Sequence, residues 1–239
     1  MGVQWWCAFL TDELRKEYDV LYATAVVKPE KRETMTWYTN KIQRNQARYQ
    51  AVATVTKVPW HLIAAIHHME SSGDFSTHLH NGDPLSSKTY HVPAGRPKTH
   101  AAPFTWEESA IDALRYDGAA GIKDWNLAQT LYFFECYNGL GYRSGGGQNT
   151  TPPRRSPYLW SYTQHYVKGR YVADGKFDPE AVSAQAGCVA MLKSLEARGL
   201  IEPLGAPPTP VPVEEPKPVA MLQVPVAAFE AFVSACKRV

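Results

Sequence analysis

The sequence predicts a mainly α fold, on three observations. Apolar residues recur at helical spacing in several segments, residues that favour helix starts precede those segments, and the composition is that of ordinary globular material. With 239 residues, 44% hydrophobic and 20% charged, the chain can form one sizeable domain with short appendages. The net charge of +2 is too small to indicate a nucleic-acid partner.

The first 51 residues are predicted to be helical and to pack on the core. One helix is expected from residue 11 to about residue 27, because Asp12 and Glu13 suit its first turn and apolar residues follow along one side. Pro29 begins a second helical stretch, which is expected to run to about Val58.

Residues 52–202 are predicted to form the main domain. Its first helix spans residues 60–70, between Pro59 and Gly73, and an irregular stretch follows to residue 104. A stretch of that length inside a domain is usually functional or contains short strands. Thr105 and Glu108 form a capping box for the next helix, and Asn126 can cap another. Further helices are expected over residues 127–136, 158–167 and 179–198.

The C-terminal part has a different composition. Seven of the 18 prolines fall between residues 203 and 218, which indicates a semi-rigid linker. Residues 219–239 are predicted to form an amphipathic helix. Pro225 and Glu230 lie inside its apolar run, so this helix is a poor candidate for a membrane span. We expect it to dock on a partner or to mediate self-association.

The most informative residue is Glu70, in the last turn of the helix over residues 60–70. Helical spacing puts it on the same face as Ile63, Ile66 and His67, which should point inward. Apolar surroundings and the negative end of the helix dipole both favour the neutral acid, which can donate a proton to a glycosidic oxygen. The alternative is a solvent-exposed carboxylate at a helix end.

Two aspartates in the following loop could assist Glu70. Asp83 follows an Asn-Gly turn that can hold a carboxylate rigidly over a cleft, although it can equally serve the turn itself. Asp74 follows Gly73 directly, and capping of the helix end is its favoured role.

Metal and nucleophilic chemistry have weaker support. His78 and His80 lie near Asp83, so a zinc peptidase is conceivable, but no complete set of zinc ligands with a base can be assembled. No metal or other cofactor is therefore expected. The four cysteines are widely separated without a Cys-x-x-Cys pair, and no Gly-x-Ser-x-Gly motif is present.

A second signal is the helix end at Tyr137, Asn138 and Gly139. The phenol can cover a carboxylic acid or a sugar face, and the amide can bond an N-acetyl or hydroxyl group. Taken alone, Asn-Gly after a helix is an ordinary C-terminal cap.

The ordered pair Glu70-Ser71 and Tyr137-Asn138-Gly139 resembles the superfamily of goose-type lysozymes and soluble lytic transglycosylases. Longer runs resemble phage and prophage lysozyme-like proteins of that group. They are residues 78–85 (HLHNGDPL), 92–97 (VPAGRP) and 156–161 (SPYLWS). The similarity extends over about residues 52–195.

The resemblance implies a lysozyme-like helical domain with a long loop over its cleft, which cleaves the β-1,4 bond between N-acetylmuramic acid and N-acetylglucosamine in peptidoglycan. Glu70 matches the catalytic acid, and Tyr137 and Asn138 match residues that line the site. A Gly-Leu-x-Gln segment usual in transglycosylases is replaced by the loop at residues 81–84, which puts the anhydro-forming reaction in doubt.

The expected function is therefore an endolysin-type muramidase that lyses bacterial cells. Glu70 is the expected acid, and Asp83, with Asp74 as the alternative, is its expected partner. Tyr137, Asn138, Asp74 and Tyr162 are expected to bind substrate. The alternatives are a lytic transglycosylase and a non-catalytic wall-binding or virion protein. No secretory signal or membrane span is recognisable, so we expect synthesis in the bacterial host and action on the wall after release or from a virion.

Overall fold

The computed structural model describes residues 10–144, 154–173 and 175–205, which all belong to the unit formed by residues 1–207. This part is mainly helical, as the sequence predicts. The helices are α1 (Asp12–Thr24), α2 (Arg32–Arg44), α3 (Gln46–Thr56), α4 (Trp60–Ser71), α5 (Trp106–Tyr116), α6 (Leu127–Asn138), α7 (Gly141–Ser144), α8 (Pro157–Trp160) and α9 (Cys188–Ala197). The predicted linker from residue 206 onwards and the predicted C-terminal helix lie outside the described residues.

Local signals explain where three of the described helices begin. The Thr11 hydroxyl accepts the Leu14 amide and caps α1, and the predicted capping box of Thr105 and Glu108 is present at α5. The Asn126 side chain caps α6, also as predicted. Helix α6 ends two residues later than expected, so Tyr137 lies in its last turn.

The predicted continuous helix from Pro29 to Val58 is wrong, because Asn45 interrupts it. The Asn45 side chain donates to the Lys41 carbonyl at 2.9 Å, and its own backbone leaves the helical region between α2 and α3. Asparagine favours such breaks because its amide competes with the backbone for hydrogen bonds. Residues 29–31 form a 3-10 turn before α2.

Two later helices are much shorter than predicted. Helix α8 stops at Trp160, since the next residues bond to the segment after α1: Lys28 donates to the Tyr162 carbonyl at 2.9 Å, and Val27 pairs with Thr163. Helix α9 begins at Cys188 rather than near residue 179. Its N-cap, Gly187, lies so close to the Leu159 carbonyl that a Cβ would be 2.4 Å from that oxygen.

A small antiparallel hairpin was not predicted. Strands β1 (Arg170–Ala173) and β2 (Lys176–Asp178) pair, with Tyr171 opposite Phe177, and form the sheet of the described residues. The long stretch between α4 and α5 is irregular, as predicted, apart from one bridge between Thr77 and Pro84.

The helices share one core, and α1 to α3 contribute to it directly. Tyr18, Tyr22, Ile42 and Tyr49 are fully buried in the same cluster as the apolar face of α4. The Tyr18 hydroxyl donates to Glu135 of α6, which also pairs with Arg143 at 2.7 Å. Among the described helices none is both long and apolar enough to cross a lipid bilayer.

Candidate active site

Helix α4 delivers Glu70 to the site from within the core. Its residues 62–68 are all buried, so the helix is fixed by packing on every side, and Glu70 in the last turn remains partly accessible. The helix ends at Ser72, which adopts the left-handed conformation, and Gly73 follows with φ of +68°. A Cβ on Gly73 would lie 2.6 Å from the His68 ring, so this turn requires glycine.

Glu70 interacts with two buried side chains. The Tyr158 hydroxyl of α8 donates to its Oε1 at 3.0 Å. Burial raises the pKa of the Cys188 thiol at the start of α9, and the charge of Glu70 raises it further. Burial raises the pKa of Glu70 to about 7, the Tyr158 hydrogen bond opposes that rise, and the charge of Asp117 adds to it. The inward orientation inferred from helical spacing is therefore present.

A second carboxyl group at the site is Asp117, which sequence analysis missed. It is the residue directly after α5, and burial raises its pKa to about 6, opposed by a hydrogen bond from Tyr137 and by the charge of Arg96. The only signal in the sequence is an Asp-Gly pair at a helix end, which ordinarily indicates a cap.

Tyr137 connects the two carboxyl groups. Its buried hydroxyl bonds to Asp117, and the charges of both Asp117 and Glu70 raise its pKa, as burial does. The same hydroxyl is 3.3 Å from the Leu79 carbonyl of the long loop. Tyr137, Asp117 and Glu70 thus form one electrostatically coupled group, to which Tyr158 is joined through Glu70.

The coupled carboxyl pair suits proton transfer near neutral pH. Burial raises the pKa values of both Glu70 and Asp117, and the charge of Asp117 raises that of Glu70 further, so the two carboxyl groups titrate as a coupled pair. Such a pair contains an acid that can donate and a carboxylate that can stabilise positive charge or accept a proton from water.

Asp83 lies elsewhere in the loop and has a different environment. Its Oδ2 accepts the backbone amides of Tyr90 and His91 at 2.8 and 2.9 Å, and its Oδ1 contacts His91 Nδ1 at 2.6 Å. Burial opposes ionisation, but these bonds outweigh it and lower the pKa of Asp83 to about 2. A buried carboxylate with three donors anchors the loop; its catalytic role stays a prediction that these contacts do not support.

Asp74 is exposed and serves the turn after α4. Its Oδ1 accepts the amide and the hydroxyl of Ser76 at 2.8 and 2.7 Å, and these bonds lower its pKa. These bonds run forward to Ser76, so the side chain stabilises the turn after α4 and makes no described contact with the helix end or with Glu70.

The other predicted binding residues differ in position. Asn138 is exposed at the end of α6, next to Tyr137, and its amide is 3.3 Å from the Ser156 hydroxyl. Tyr162 is buried, and its hydroxyl donates to the Ala184 carbonyl at 2.6 Å. Tyr162 therefore has a structural contact, whereas Asn138 adjoins the site.

The histidines that suggested zinc have protein partners. His78 bonds to the Ser109 hydroxyl and the Ser87 carbonyl, each at 2.8 Å, and His80 pairs with Asp112 at 2.9 Å. In residues 10–144, 154–173 and 175–205, no three His, Cys, Asp or Glu side chains are grouped as metal ligands.

A separate cavity of about 370 Å³ lies away from Glu70 and Asp117. It is bordered by α2, by α9 and by residues 25–27, which follow α1. Met35, Thr39, Lys193 and Arg198 are among its lining residues. The Arg198 guanidinium already bonds to Thr39, Asn40 and Gln43, so this cavity contains no evident chemistry.

Comparison of the chain with models of known protein families, with curated proteins and with solved structures gave no match in any of the three.

Proposed function

We propose that this protein is a lysozyme-like glycosidase, a muramidase that cleaves the β-1,4 bond between N-acetylmuramic acid and N-acetylglucosamine in peptidoglycan. The observation that supports this most is the position of Glu70, at the end of the buried helix α4 with the Tyr158 hydroxyl 3.0 Å from its Oε1. Burial raises the pKa of this carboxyl to about 7, and the charge of Asp117 adds to the rise. A neutral carboxylic acid near an ionised one is the pair that glycoside hydrolysis requires. The sequence resemblance to goose-type lysozymes and lytic transglycosylases is the basis for the choice of substrate.

In the proposed reaction Glu70 donates its proton to the glycosidic oxygen as the C1–O bond breaks. The carboxylate of Asp117 stabilises the positive charge that develops at C1 and accepts a proton from the water that adds there. Tyr158 holds the Glu70 carboxyl in place, and Asn138, exposed beside Tyr137, is available to the sugar. In this proposal Asp117 takes the part that sequence analysis gave to Asp83.

The place of action is also part of the proposal. We expect the protein to be made in a bacterial host, as a phage or prophage product, and to reach the wall after release or in a virion. Its consequence there is cell lysis, which would make it an antimicrobial endolysin.

Purified peptidoglycan tests the proposal directly. The wild-type protein should release fragments with new reducing ends, and Glu70→Gln should abolish the release while circular dichroism and wall binding stay unchanged. The control is Glu107→Gln, which removes a carboxylate from a surface ion pair with Arg48 and should leave activity intact.

Mass spectrometry of the fragments separates the alternatives. Anhydro-muropeptides would identify a lytic transglycosylase, and free amino groups that disappear with a chelator would identify a zinc peptidase. Wall binding by the wild type without any cleavage would indicate an adhesive protein and contradict the glycosidase proposal.

A further inference from the structure

Residues 89–96 form a tightly bonded tip in the long loop between α4 and α5. Within this loop tip the Thr89 amide donates to the Arg96 carbonyl at 2.8 Å, and Gly95 donates to the Thr89 carbonyl at 2.7 Å. The Thr89 hydroxyl also accepts the Arg96 amide at 2.9 Å. These bonds fix the shape of the loop tip without an apolar core of its own.

Asp83 holds the loop tip through hydrogen bonds to Tyr90 and His91. This carboxylate is 3% exposed and accepts the amides of Tyr90 and His91 together with the His91 ring. The amide of Asn81 adds a bond to the His91 carbonyl at 3.1 Å. Two polar side chains of residues 81–83 are thus used to hold Tyr90 and His91 in a fixed conformation.

The anchored residues expose aromatic and apolar surface. The Tyr90 side chain is 63% exposed and Val92 is 88% exposed. The Tyr90 and His91 rings are adjacent, with centroids 4.5 Å apart and planes tilted by 47°. Because exposed aromatic residues of fixed orientation serve recognition more than stability, this pair is a candidate binding surface.

The loop tip belongs to the same loop that borders Glu70. Gly82, directly before Asp83, lies so close to the Glu70 backbone that a Cβ there would be 3.3 Å from the Glu70 carbonyl. Earlier in the same loop, the Leu79 carbonyl accepts a hydrogen bond from the Tyr137 hydroxyl at 3.3 Å. The anchor of the loop tip is therefore one residue from a direct contact with the end of α4.

We propose that Tyr90 and His91 form a sugar-binding platform for the glycan strand whose cleavage we assign to Glu70. The proposal rests on the proposed function and adds the substrate contact. The C–H face of a pyranose can stack on the Tyr90 ring, and the His91 ring, whose Nδ1 is held by Asp83, can offer its second nitrogen to a hydroxyl or acetamido group. Asp83 is then a positioning residue, which orients the platform and does not contact the sugar.

The experiment measures binding without cleavage. Glu70→Gln protein is titrated onto peptidoglycan glycan strands freed of their stem peptides, alone and combined with Tyr90→Ala. We expect Tyr90→Ala to weaken binding about tenfold, Tyr90→Phe to restore it because the ring remains, and Asp83→Asn to weaken it through loss of the anchor. The control is Val167→Ala, which removes equally exposed apolar surface elsewhere and should change nothing.

Unchanged binding by Tyr90→Ala, or binding only to strands that keep their stem peptides, would overturn the platform. The two proposals fail separately. Full wall cleavage by Glu70→Gln contradicts the glycosidase assignment, whereas the Tyr90 series reports on sugar binding whether or not cleavage occurs.

Discussion

The Tyr158 hydroxyl donates to Glu70 Oε1 at 3.0 Å, and this contact opposes the effect of burial on the same carboxyl group. Burial favours the neutral acid, and a hydrogen bond to the carboxylate favours the ionised form. The balance leaves the pKa of Glu70 near 7, where a small change in either contribution alters the protonated fraction of this carboxyl group.

Removal of that hydrogen bond should extend activity to higher pH. In Tyr158→Phe the pKa of Glu70 should rise by about one unit, since a hydrogen bond to a charged group contributes on the order of 1.5 kcal/mol. The measurement is the alkaline limb of kcat/KM against pH, which reports ionisation of the acid. Tyr166→Phe, which removes a buried hydroxyl bonded to Gly169 and Ser183, is the control and should not move the limb. If the alkaline limb of Tyr158→Phe stays at the wild-type pH, Glu70 is not the acid that this limb reports.

Removal of the Asp117 charge should have the opposite effect on the limb. The negative charge of Asp117 raises the pKa of Glu70, so Asp117→Asn should move the alkaline limb to lower pH. The rate at the optimum should also fall, by about 10²-fold or more, because the group that stabilises the transition state is lost. Asp74→Asn, which changes an exposed aspartate, should leave both quantities unchanged. A full rate in Asp117→Asn, with a loss of kcat in Asp83→Asn, would return the assisting role to Asp83.

The stability of the protein should depend on pH through Glu70. The pKa of Glu70 is about 7 in the folded protein against an ordinary value of 4.5, so the folded protein binds this proton more tightly than the unfolded chain does. The resulting contribution to folding stability is fully present below pH 4.5 and is lost as pH rises through 7. Relative to the wild type, Glu70→Gln should therefore be more stable at pH 8 than at pH 5, by about 1–3 kcal/mol. Urea unfolding at the two pH values measures this difference.

The control for that measurement is Glu107→Gln. Its ion pair with Arg48 holds the pKa of Glu107 below the ordinary value, so its protonation does not change between pH 5 and pH 8. Glu107→Gln should therefore change the free energy of unfolding by the same amount at pH 5 and at pH 8. An equal pH dependence for Glu70→Gln and the wild type would show that burial does not perturb Glu70.

The buried ion pair of Glu135 and Arg143 should contribute strongly to stability. Among the described residues, Glu135→Gln leaves the Arg143 guanidinium with Glu17 as its acidic partner, and loss of one member of a buried pair typically costs about 3–5 kcal/mol. Thermal unfolding measures the loss. Glu180→Gln breaks the exposed pair with Lys168 and should change stability by less than about 0.5 kcal/mol. Similar values for both variants would mean that the buried pair is not structurally important.

Sequence analysis predicted the position of Glu70 because that position follows from local periodicity. The residues at positions 63, 66 and 67 define the helix face that carries Glu70, and they are buried together with the rest of residues 62–68. The capping residues Thr11, Thr105 and Asn126 indicate where their helices begin for the same local reason.

Asp117 could not be predicted in this way, since its environment is made by contacts distant in sequence. Its neighbours Tyr137 and Glu70 come from α6 and α4, and nothing near residue 117 indicates either. The prediction for α8 was too long for a related reason: residues 162–164 bond to residues 26–28, and that pairing competes with helical hydrogen bonds.

The sharing of one core by α1 and the later helices limits how this chain can be shortened. Tyr18 bonds to Glu135 of α6, and Tyr22 donates to Glu196 of α9 at 2.6 Å, so the first helix is bonded to two later helices. A shortened chain that begins at residue 52 would lose both tyrosines and leave two acidic groups without these donors. Fusion partners and affinity tags are therefore better joined before residue 10 than in place of α1.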